Sequence, residues 1–234
     1  MKSIMKRIYR KIKRIIKVIL GKDFFIKPDF ICDYKRFGSQ YGGWDVIYGE
    51  LNSDSVIYSF GVGEDASFDL ALIKKLGVII HAFDPTPKSI TWVKDQNFPK
   101  SFIMHEYGIA DFDGIATFAP PKNPDHVSHT ILDRVETRDK TIEMPVKKLA
   151  SIMKELKTNK IDLLKMDIEG AEYSILKDIQ SNSIRPKQLL VEFHHRFPNI
   201  GIGETKTAIK IIKDMGYQLF SVSETGEEYS FILK

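Results

Sequence analysis

The fold is decided by Val56-Ile57-Tyr58-Ser59-Phe60-Gly61-Val62-Gly63-Glu64-Asp65-Ala66, eleven residues near the end of the first quarter of the chain. Residues 56–60 are apolar apart from Ser59 and rich in β-branched and aromatic side chains, which is typical of a buried parallel strand. The next residues follow the spacing G-x-G-x-x-A. The first glycine allows a tight turn, the second lets a ligand approach the backbone, and the alanine lets a helix pack on the strand. The segment therefore predicts a strand, a ligand-binding turn and a helix.

A second apolar run, residues 78–83, ends at Asp84, which lies 23 residues after Gly61. An acidic residue at this position can accept hydrogen bonds from both hydroxyls of a ribose. The two runs together predict the first βαβ unit of a nucleotide-binding sheet.

From residue 56 onward, strand patterns alternate with helix patterns, which is typical of a doubly wound α/β sheet. We expect helices over about residues 65–76, closed by Gly77, and over residues 147–156. Segment 111–145 interrupts this alternation of strands and helices. Residues 114–118 and 141–146 have strand patterns, and a polar loop lies between them. The turn at residues 224–227 joins two further strand patterns and predicts an antiparallel hairpin at the end of the sheet.

The net charge of +4 hides an uneven distribution. Residues 1–22 contain nine basic side chains and no acidic ones, and the remaining chain has 26 basic residues against 31 acidic ones. We therefore divide the chain into a basic arm, residues 1–22, and one domain, residues 23–234, with an inserted loop at about 111–145. An acidic body argues against nucleic-acid binding. The single cysteine excludes an internal disulfide, which favours a reducing, cytoplasmic location.

The arm has the pattern of an amphipathic helix, because isoleucines at positions 4, 8, 12, 15 and 19 alternate with basic residues. It lacks the run of about 20 apolar residues that is needed to span a membrane, and its scattered charges do not suit a signal peptide. One interpretation is a helix that lies on the anionic inner face of a membrane. The other is a helix that docks its apolar stripe on the domain or on a second subunit.

Between arm and sheet, residues 41–44 place two glycines between Tyr41 and Trp44. This loop could fold over a flat ligand such as adenine, or it could be an ordinary turn that Trp44 pins to the core. The sequence leaves both interpretations open.

Functional side chains are expected where the parallel strands end, because ligands of open α/β sheets bind there. Asp167, Glu169 and Glu172 place three carboxylates within six residues after the fourth strand. Such crowding is unfavourable unless a cation, a donor-rich ligand or a proton offsets it. Glu169 or Glu172 could instead simply stabilise the N-terminus of the following helix through its dipole.

The fifth strand ends in His194 and His195, and Glu192 lies two residues before His194. Strand alternation puts Glu192 and His194 on one face and His195 on the other. His194 is a candidate general base, or a candidate metal ligand together with Asp167 and Glu192. Two histidines and an acid fall short of a metal-binding motif, and His195 could be purely structural.

At this point the chain resembles a known family. The decapeptide Leu163-Leu164-Lys165-Met166-Asp167-Ile168-Glu169-Gly170-Ala171-Glu172 is similar to the motif of FkbM-type S-adenosylmethionine-dependent methyltransferases. The glycine turn, the stretch 81–85 and the stretch 189–194 agree with it, and the resemblance covers about residues 40–233. It implies the class I methyltransferase fold, a mostly parallel seven-stranded sheet with an antiparallel last strand.

The resemblance also implies roles for individual residues. Gly61, Val62 and Gly63 would line the methionine part of the cofactor, and Asp84 would hold its ribose. Ile109 and Ala110 would flank adenine, and Asp167 would lie beside the transferable methyl. The cofactor-binding positions are then Ser59, Gly61, Val62, Gly63, Asp84, Pro85, Gly108, Ile109, Ala110 and Asp167. Many relatives carry an acid where this chain has Ser59, so the contact to the cofactor's amino group would come from Glu64, Asp65 or Asp167.

The resulting expectation is methyl transfer from S-adenosylmethionine to an oxygen, on a sugar hydroxyl of a cell-surface glycan or glycolipid precursor. The candidate bases are His194, Asp167 and Glu169, and we expect the acceptor near residues 126–130. A divalent metal is an additional candidate cofactor. Two alternatives stay open: an NAD-dependent oxidoreductase, which would use the same glycine turn, and a membrane-associated binding protein that kept the fold and lost catalysis.

Overall fold

A computed structural model describes residues 2–121, 129–131 and 135–234. The helices are α1 (Lys2–Ile19), α2 (Ser67–Leu76), α3 (Pro87–Asp95), α4 (Leu149–Glu155), α5 (Glu172–Ser181) and α6 (Gly201–Asp214). The strands are β1 (Lys35–Phe37), β2 (Trp44–Val46), β3 (Ile57–Phe60), β4 (Ile80–Phe83), β5 (Phe102–His105), β6 (Gly108–Ile109), β7 (Gly114–Phe118), β8 (Ile142–Lys147), β9 (Leu163–Met166), β10 (Gln188–Glu192), β11 (Tyr217–Val222) and β12 (Glu228–Leu233).

The central sheet has seven strands in the order β11-β12-β10-β9-β3-β4-β5. The pairs from β10 through β5 are parallel, and β12 is antiparallel to both of its neighbours. This is the class I methyltransferase arrangement, and it confirms the predicted fold and the terminal hairpin. The order of the strands reverses between β3 and β9, so the end of β3 lies at the switch point where ligands of such sheets bind.

Strand alternation sends the core residues to two faces of the sheet. Tyr58 and Leu164 pack with the buried sides of α5 and α6, whereas Ile57 and Leu163 pack with α2. All residues of β3 and β9 are buried, as their nearly continuous apolar sequences predict. The sheet is therefore covered on both faces, and its strand ends are held rigidly.

Helix boundaries follow the local sequence with one small error. Helix α2 ends at the predicted place, where Gly77 adopts a left-handed conformation and its N–H donates to the carbonyl of Ile73. The prediction of a helix from Lys147 was wrong at its start, because β8 pairs with β7 and β6 as far as Lys147. Helix α4 then begins at Leu149.

The inserted segment contains the two strands that its sequence predicts, β7 and β8. Strands β6, β7 and β8 form a separate three-stranded sheet, whose buried side packs around Met144 and Val146. The region before β3 also holds the short antiparallel pair β1–β2, which was not predicted. Trp44 is 2% exposed there and packs into the core under α2, as the second interpretation of the turn at residues 41–44 predicts. Tyr41 and Gly42 of the same turn line a cavity, so the first interpretation, a loop over a ligand, stays a prediction.

The arm forms a helix that contacts the domain through a polar residue. Arg14 is 9% exposed and donates hydrogen bonds to the carbonyls of Ser223 and Phe24, both at 3.1 Å. The isoleucine side chains that the structure describes in α1 are exposed; they are Ile12, Ile15, Ile16 and Ile19. The described part of the apolar stripe is therefore not docked on the domain. Within the described chain, none of the helices has the length and apolar character of a membrane span.

The contact between β3 and β9 generates a prediction. Gly61 has φ +82°, and a Cβ at this position would lie 1.8 Å from the backbone oxygen of Asp167. Gly61→Ala should lower the free energy of unfolding by roughly 3 kcal/mol or more, because left-handed strain and steric overlap add. Chemical denaturation followed by circular dichroism measures this change.

Gly77→Ala is the matched control. Gly77 has φ +71°, but the space that a Cβ would occupy there is open, with no atom of the surrounding structure within 4 Å. This variant should therefore lose only about 1–2 kcal/mol from left-handed strain. Equal losses in the two variants would contradict the close approach at Gly61.

Candidate functional site

A cavity of about 460 Å³ opens where β3, β4 and β9 end. This volume suits a small-molecule ligand. Aromatic and aliphatic side chains, among them Phe60, Phe83 and Ile109, form part of its wall. The acidic residues that line it are Glu64, Asp65, Asp69, Asp84, Asp167 and Glu169. Among the described lining residues, Lys165 is the only lysine or arginine, so the wall is strongly acidic.

The glycine turn is held open by Asp84. Its Oδ2 accepts hydrogen bonds from the amides of Val62 and Gly63, at 3.0 and 2.9 Å. Gly61 and Gly63 both have positive φ, which glycine adopts without the cost other residues meet. The amides that would otherwise be available to a bound anion therefore already face a carboxylate.

The other oxygen of Asp84 is also occupied. Its Oδ1 accepts from the backbone N–H of Thr86 at 2.9 Å and from the Thr86 hydroxyl at 2.6 Å. A carboxylate has about four acceptor positions, so these four bonds nearly saturate Asp84. The expected role of Asp84, a bond to two ribose hydroxyls, stays a prediction, and it would require exchange of bonds to Thr86 or to the turn.

Two buried charges next to the turn were not among the predicted site residues. Lys165 is 6% exposed, and its ammonium donates to the carbonyls of Phe60 and Gly61 at 3.3 and 2.6 Å. It also lies 5.8 Å from the centre of the Trp44 ring. Asp69 in α2 is 2% exposed, and burial raises its pKa, an effect that the Lys165 ammonium opposes. A charge inside an apolar run is the sequence signal that could have identified both.

A second group of side chains lies beside Asp167. Asp167, Glu192 and His194 offer ligand atoms that lie within 4.8 Å of one another. Glu192 comes from the end of β10, and His194 follows it by two residues on the same face, as strand alternation predicts. One histidine and two carboxylates could hold a divalent cation, so the three candidate metal ligands do come together.

The surroundings of His194 favour its charged form. Its Nδ1 donates to Glu172 Oε1 at 3.0 Å, and its Nε2 lies 3.6 Å from Glu169 Oε2. Burial by itself lowers the pKa of His194, but the carboxylates of Glu172, Glu169 and Glu192 outweigh it and hold this pKa well above its usual value. These carboxylates favour the protonated ring, which is a hydrogen-bond donor, and the role of His194 as a base stays a prediction.

The pKa of Glu192 is shifted in the direction that suits a general base. Its pKa lies well above the ordinary value, because burial disfavours the carboxylate and the nearby charge of Asp167 adds to that effect. General bases are most effective when their pKa approaches the working pH. Glu192 beside Asp167 is therefore a further candidate proton acceptor, next to the predicted His194, Asp167 and Glu169.

Two acidic residues, Glu169 and Glu172, take part in the turn that follows β9. Glu172 is fully buried, and its Oε1 accepts from the amide of Ile168 at 3.1 Å. This contact at the start of α5 fits the structural interpretation of Glu172. Glu169 has φ +55°, an uncommon conformation for a residue with a side chain, and Thr130 donates to its carbonyl. Such strain is concentrated at functional sites.

The structure brings most predicted site residues to the cavity, but not all. Those that line it are Gly61, Val62, Gly63, Asp84, Pro85, Gly108, Ile109, Asp167 and Glu169. Ser59 is fully buried behind the turn, and Ala110 packs into the small sheet. His195 turns the opposite way, with its Nε2 3.5 Å from Asp23. Of the expected acceptor segment, residues 126–128 lie outside the described residues, whereas His129 lines the cavity.

Residues 54–219 match the methyltransferase FkbM domain, which is more than half of the chain. The chain belongs to the FkbM methyltransferase family. The decapeptide after β9 and the glycine turn, on which the resemblance depends, both lie inside the matched range.

Among curated proteins, the chain is similar to the probable methyltransferase-like protein 24 of Rattus norvegicus, with 22% identity over 213 residues that cover 88% of this chain and 50% of the relative. The protein of the same name from Homo sapiens is 25% identical over 189 residues, which cover 78% and 42%. The chain thus spans about half the length of these relatives.

Two solved structures are similar at low sequence identity. The methyltransferase FkbM of Methylobacillus flagellatus matches with a TM-score of 0.47 and 14% identity, over 78% of this chain and 44% of that one. The fibrillarin pre-rRNA processing protein of Methanococcus jannaschii matches with a TM-score of 0.45 and 11% identity, over 89% and 86%.

Proposed function

We propose that this FkbM domain is an S-adenosylmethionine-dependent O-methyltransferase that acts on a sugar hydroxyl. The observation that carries the choice of cofactor is the acidic cavity wall with Asp84 on the glycine amides. A ligand with a sulfonium and an ammonium group is attracted by such a wall. The pyrophosphate of NAD would have to bind at the same amides, where the Asp84 carboxylate repels it.

The residues present fit this cofactor. The Gly61–Gly63 turn would hold the methionine part, and the apolar wall at Phe83 and Ile109 would hold the base of the nucleoside. When bound, the cofactor supplies a methyl group on a positively charged sulfur. The chain has to place the acceptor oxygen in line with this methyl and to remove the acceptor's proton.

The Asp167–Glu192 pair is suited to that second task. Asp167 lines the cavity, and Glu192 adjoins Asp167 and His194 in a half-buried position. The carboxylate pair would accept the proton of the acceptor hydroxyl while the bound cofactor supplies its methyl group. Protonated His194 fixes the neighbouring Glu169 and Glu172. A row of carboxylates also suits a donor-rich acceptor such as a sugar.

We predict that S-adenosylhomocysteine binds in calorimetric titration and that NAD gives no binding heat. Asp84→Ala should weaken S-adenosylhomocysteine binding by roughly 2–4 kcal/mol, because the glycine turn loses its charged acceptor. Asp54→Ala, an exposed loop carboxylate on the described surface, should leave the affinity unchanged. Binding of NAD in place of S-adenosylhomocysteine would favour the oxidoreductase alternative and reject this proposal.

The role of Glu192 predicts a specific kinetic defect. Glu192→Gln should lower kcat by roughly 10²–10⁴-fold, the usual contribution of a general base, while S-adenosylhomocysteine affinity stays the same. The assay follows tritiated methyl from S-adenosylmethionine into methyl glycosides and glycolipids, with and without chelator. Lys154→Gln, on the exposed side of α4, is the control.

Each outcome of this assay discriminates between hypotheses. Cofactor binding without transfer to any acceptor would support the inactive binding protein. An unchanged kcat in Glu192→Gln would reject the carboxylate pair as the proton acceptor. Loss of activity with chelator, restored by Mg²⁺ or Mn²⁺, would show that Asp167, Glu192 and His194 hold a metal instead.

We also propose that α1 lies on the anionic inner face of a membrane, which would keep a lipid-linked acceptor near the site. Two observations support it: Arg14 ties the helix to the domain, and Ile12, Ile16 and Ile19 are exposed along one side of it. The basic residues of the arm complement anionic lipid headgroups.

Vesicle co-sedimentation tests this proposal. The triple variant Ile12→Ser, Ile16→Ser and Ile19→Ser should lose most binding to vesicles that contain phosphatidylserine. Burial of each wild-type isoleucine side chain in the acyl boundary contributes roughly 1.5–3 kcal/mol to binding. Ile79→Ser removes an isoleucine that is 51% exposed outside the arm and should have no effect. Equal binding of wild type and the triple variant would contradict membrane docking through α1.

A further inference from the structure

Asp69 is a buried acid with an unused oxygen at the edge of the cavity. It lies on the inward side of α2 between Phe68 and Leu72, where the neighbouring buried side chains are apolar. It is 2% exposed and lines the cavity. Among the described residues, no donor forms a hydrogen bond with its Oδ1. A buried carboxylate oxygen without a donor is unfavourable, so this position calls for a donor from outside the chain.

The nearest cation, the Lys165 ammonium, does not donate a hydrogen bond to Asp69. The Lys165 ammonium opposes the effect of burial on Asp69, but its hydrogen bonds go to the carbonyls of Phe60 and Gly61. Ser59 lies directly across from Lys165 in the β3–β9 register, and its buried hydroxyl faces Asp69, where it lowers the pKa of that acid. The Oδ1 of Asp69, a residue that lines the cavity, is therefore available to a ligand.

The acids that the sequence suggested for the cofactor's amino group are used elsewhere. Asp65 Oδ1 accepts from the Ser67 amide, and its Oδ2 accepts from the Ser39 hydroxyl. Glu64 is partly exposed and lies 3.2 Å from the Lys88 ammonium. Asp167 belongs to the group with Glu192 and His194.

We propose that Asp69 binds the α-ammonium group of S-adenosylmethionine, with Ser59 beside it. This inference rests on the proposed cofactor. The Asp69 carboxylate lies on the same side of the turn as Lys165. The Lys165 ammonium contacts the Gly61 carbonyl, so both groups lie next to the expected position of the cofactor's methionine part. A residue of α2 thus supplies the carboxylate that β3, with Ser59 at this position, does not provide.

The test compares two ligands that differ at the group in question. S-adenosylhomocysteine carries the α-ammonium group, whereas 5′-methylthioadenosine lacks the whole amino-acid part. Asp69→Asn should weaken S-adenosylhomocysteine roughly tenfold or more in calorimetric titration, because a charge-assisted bond is lost, and should change the Kd of 5′-methylthioadenosine less than about twofold.

Two further variants keep the result interpretable. Asp54→Asn changes an exposed loop carboxylate outside the cavity and should leave the ratio of the two Kd values unchanged. Ser59→Asp in the Asp69→Asn background returns a carboxylate from the neighbouring strand and should restore S-adenosylhomocysteine binding.

The outcomes separate this inference from the proposed function. Equal weakening of both ligands by Asp69→Asn, or no weakening of either, would overturn the assignment of Asp69 and leave the cofactor in place. If wild-type protein binds neither ligand, the cofactor proposal fails and the assignment of Asp69 fails with it.

Discussion

The carboxylate of Asp84 accepts hydrogen bonds from the amides of Val62 and Gly63, and this contact ties the end of β4 to the glycine turn after β3. It has two consequences. It holds the turn in its open conformation, and it places negative charge where a pyrophosphate-binding turn would present bare N–H groups. In the proposed function, the preference for a cationic ligand rests on this interaction together with the field of the other acids in the cavity wall.

The site can be understood as two electrostatic regions joined by Asp167. On the side of the turn, Lys165 lies beside the buried carboxylate of Asp69. On the other side, His194 is held between Glu169 and Glu172, while Asp167 and Glu192 face each other. The proposed function uses the first region for binding and the second for moving a proton. Gly61 keeps them in register, because its close approach to the Asp167 backbone sets the distance between β3 and β9.

The features that sequence predicts best are local. The glycine spacing, the apolar runs of β3 and β9, the Gly77 cap and the terminal hairpin each follow from neighbouring residues. The features it misses depend on distant elements. Asp69 and Lys165 meet only because α2 packs over the strands, and the charge of His194 depends on carboxylates that follow β9. The short pair β1–β2 has too little periodicity to be predicted, and it forms because Trp44 and Phe37 fill the core under α2.

The measurement that tests the central role of Asp84 most directly is a crystal structure of the protein with S-adenosylhomocysteine. We predict the homocysteine part along residues 61–63, its ammonium at Asp69, and Asp84 still bonded to the amides of Val62 and Gly63. A structure in which Asp84 has released both amides and an anionic group of a ligand has taken its place would contradict that role.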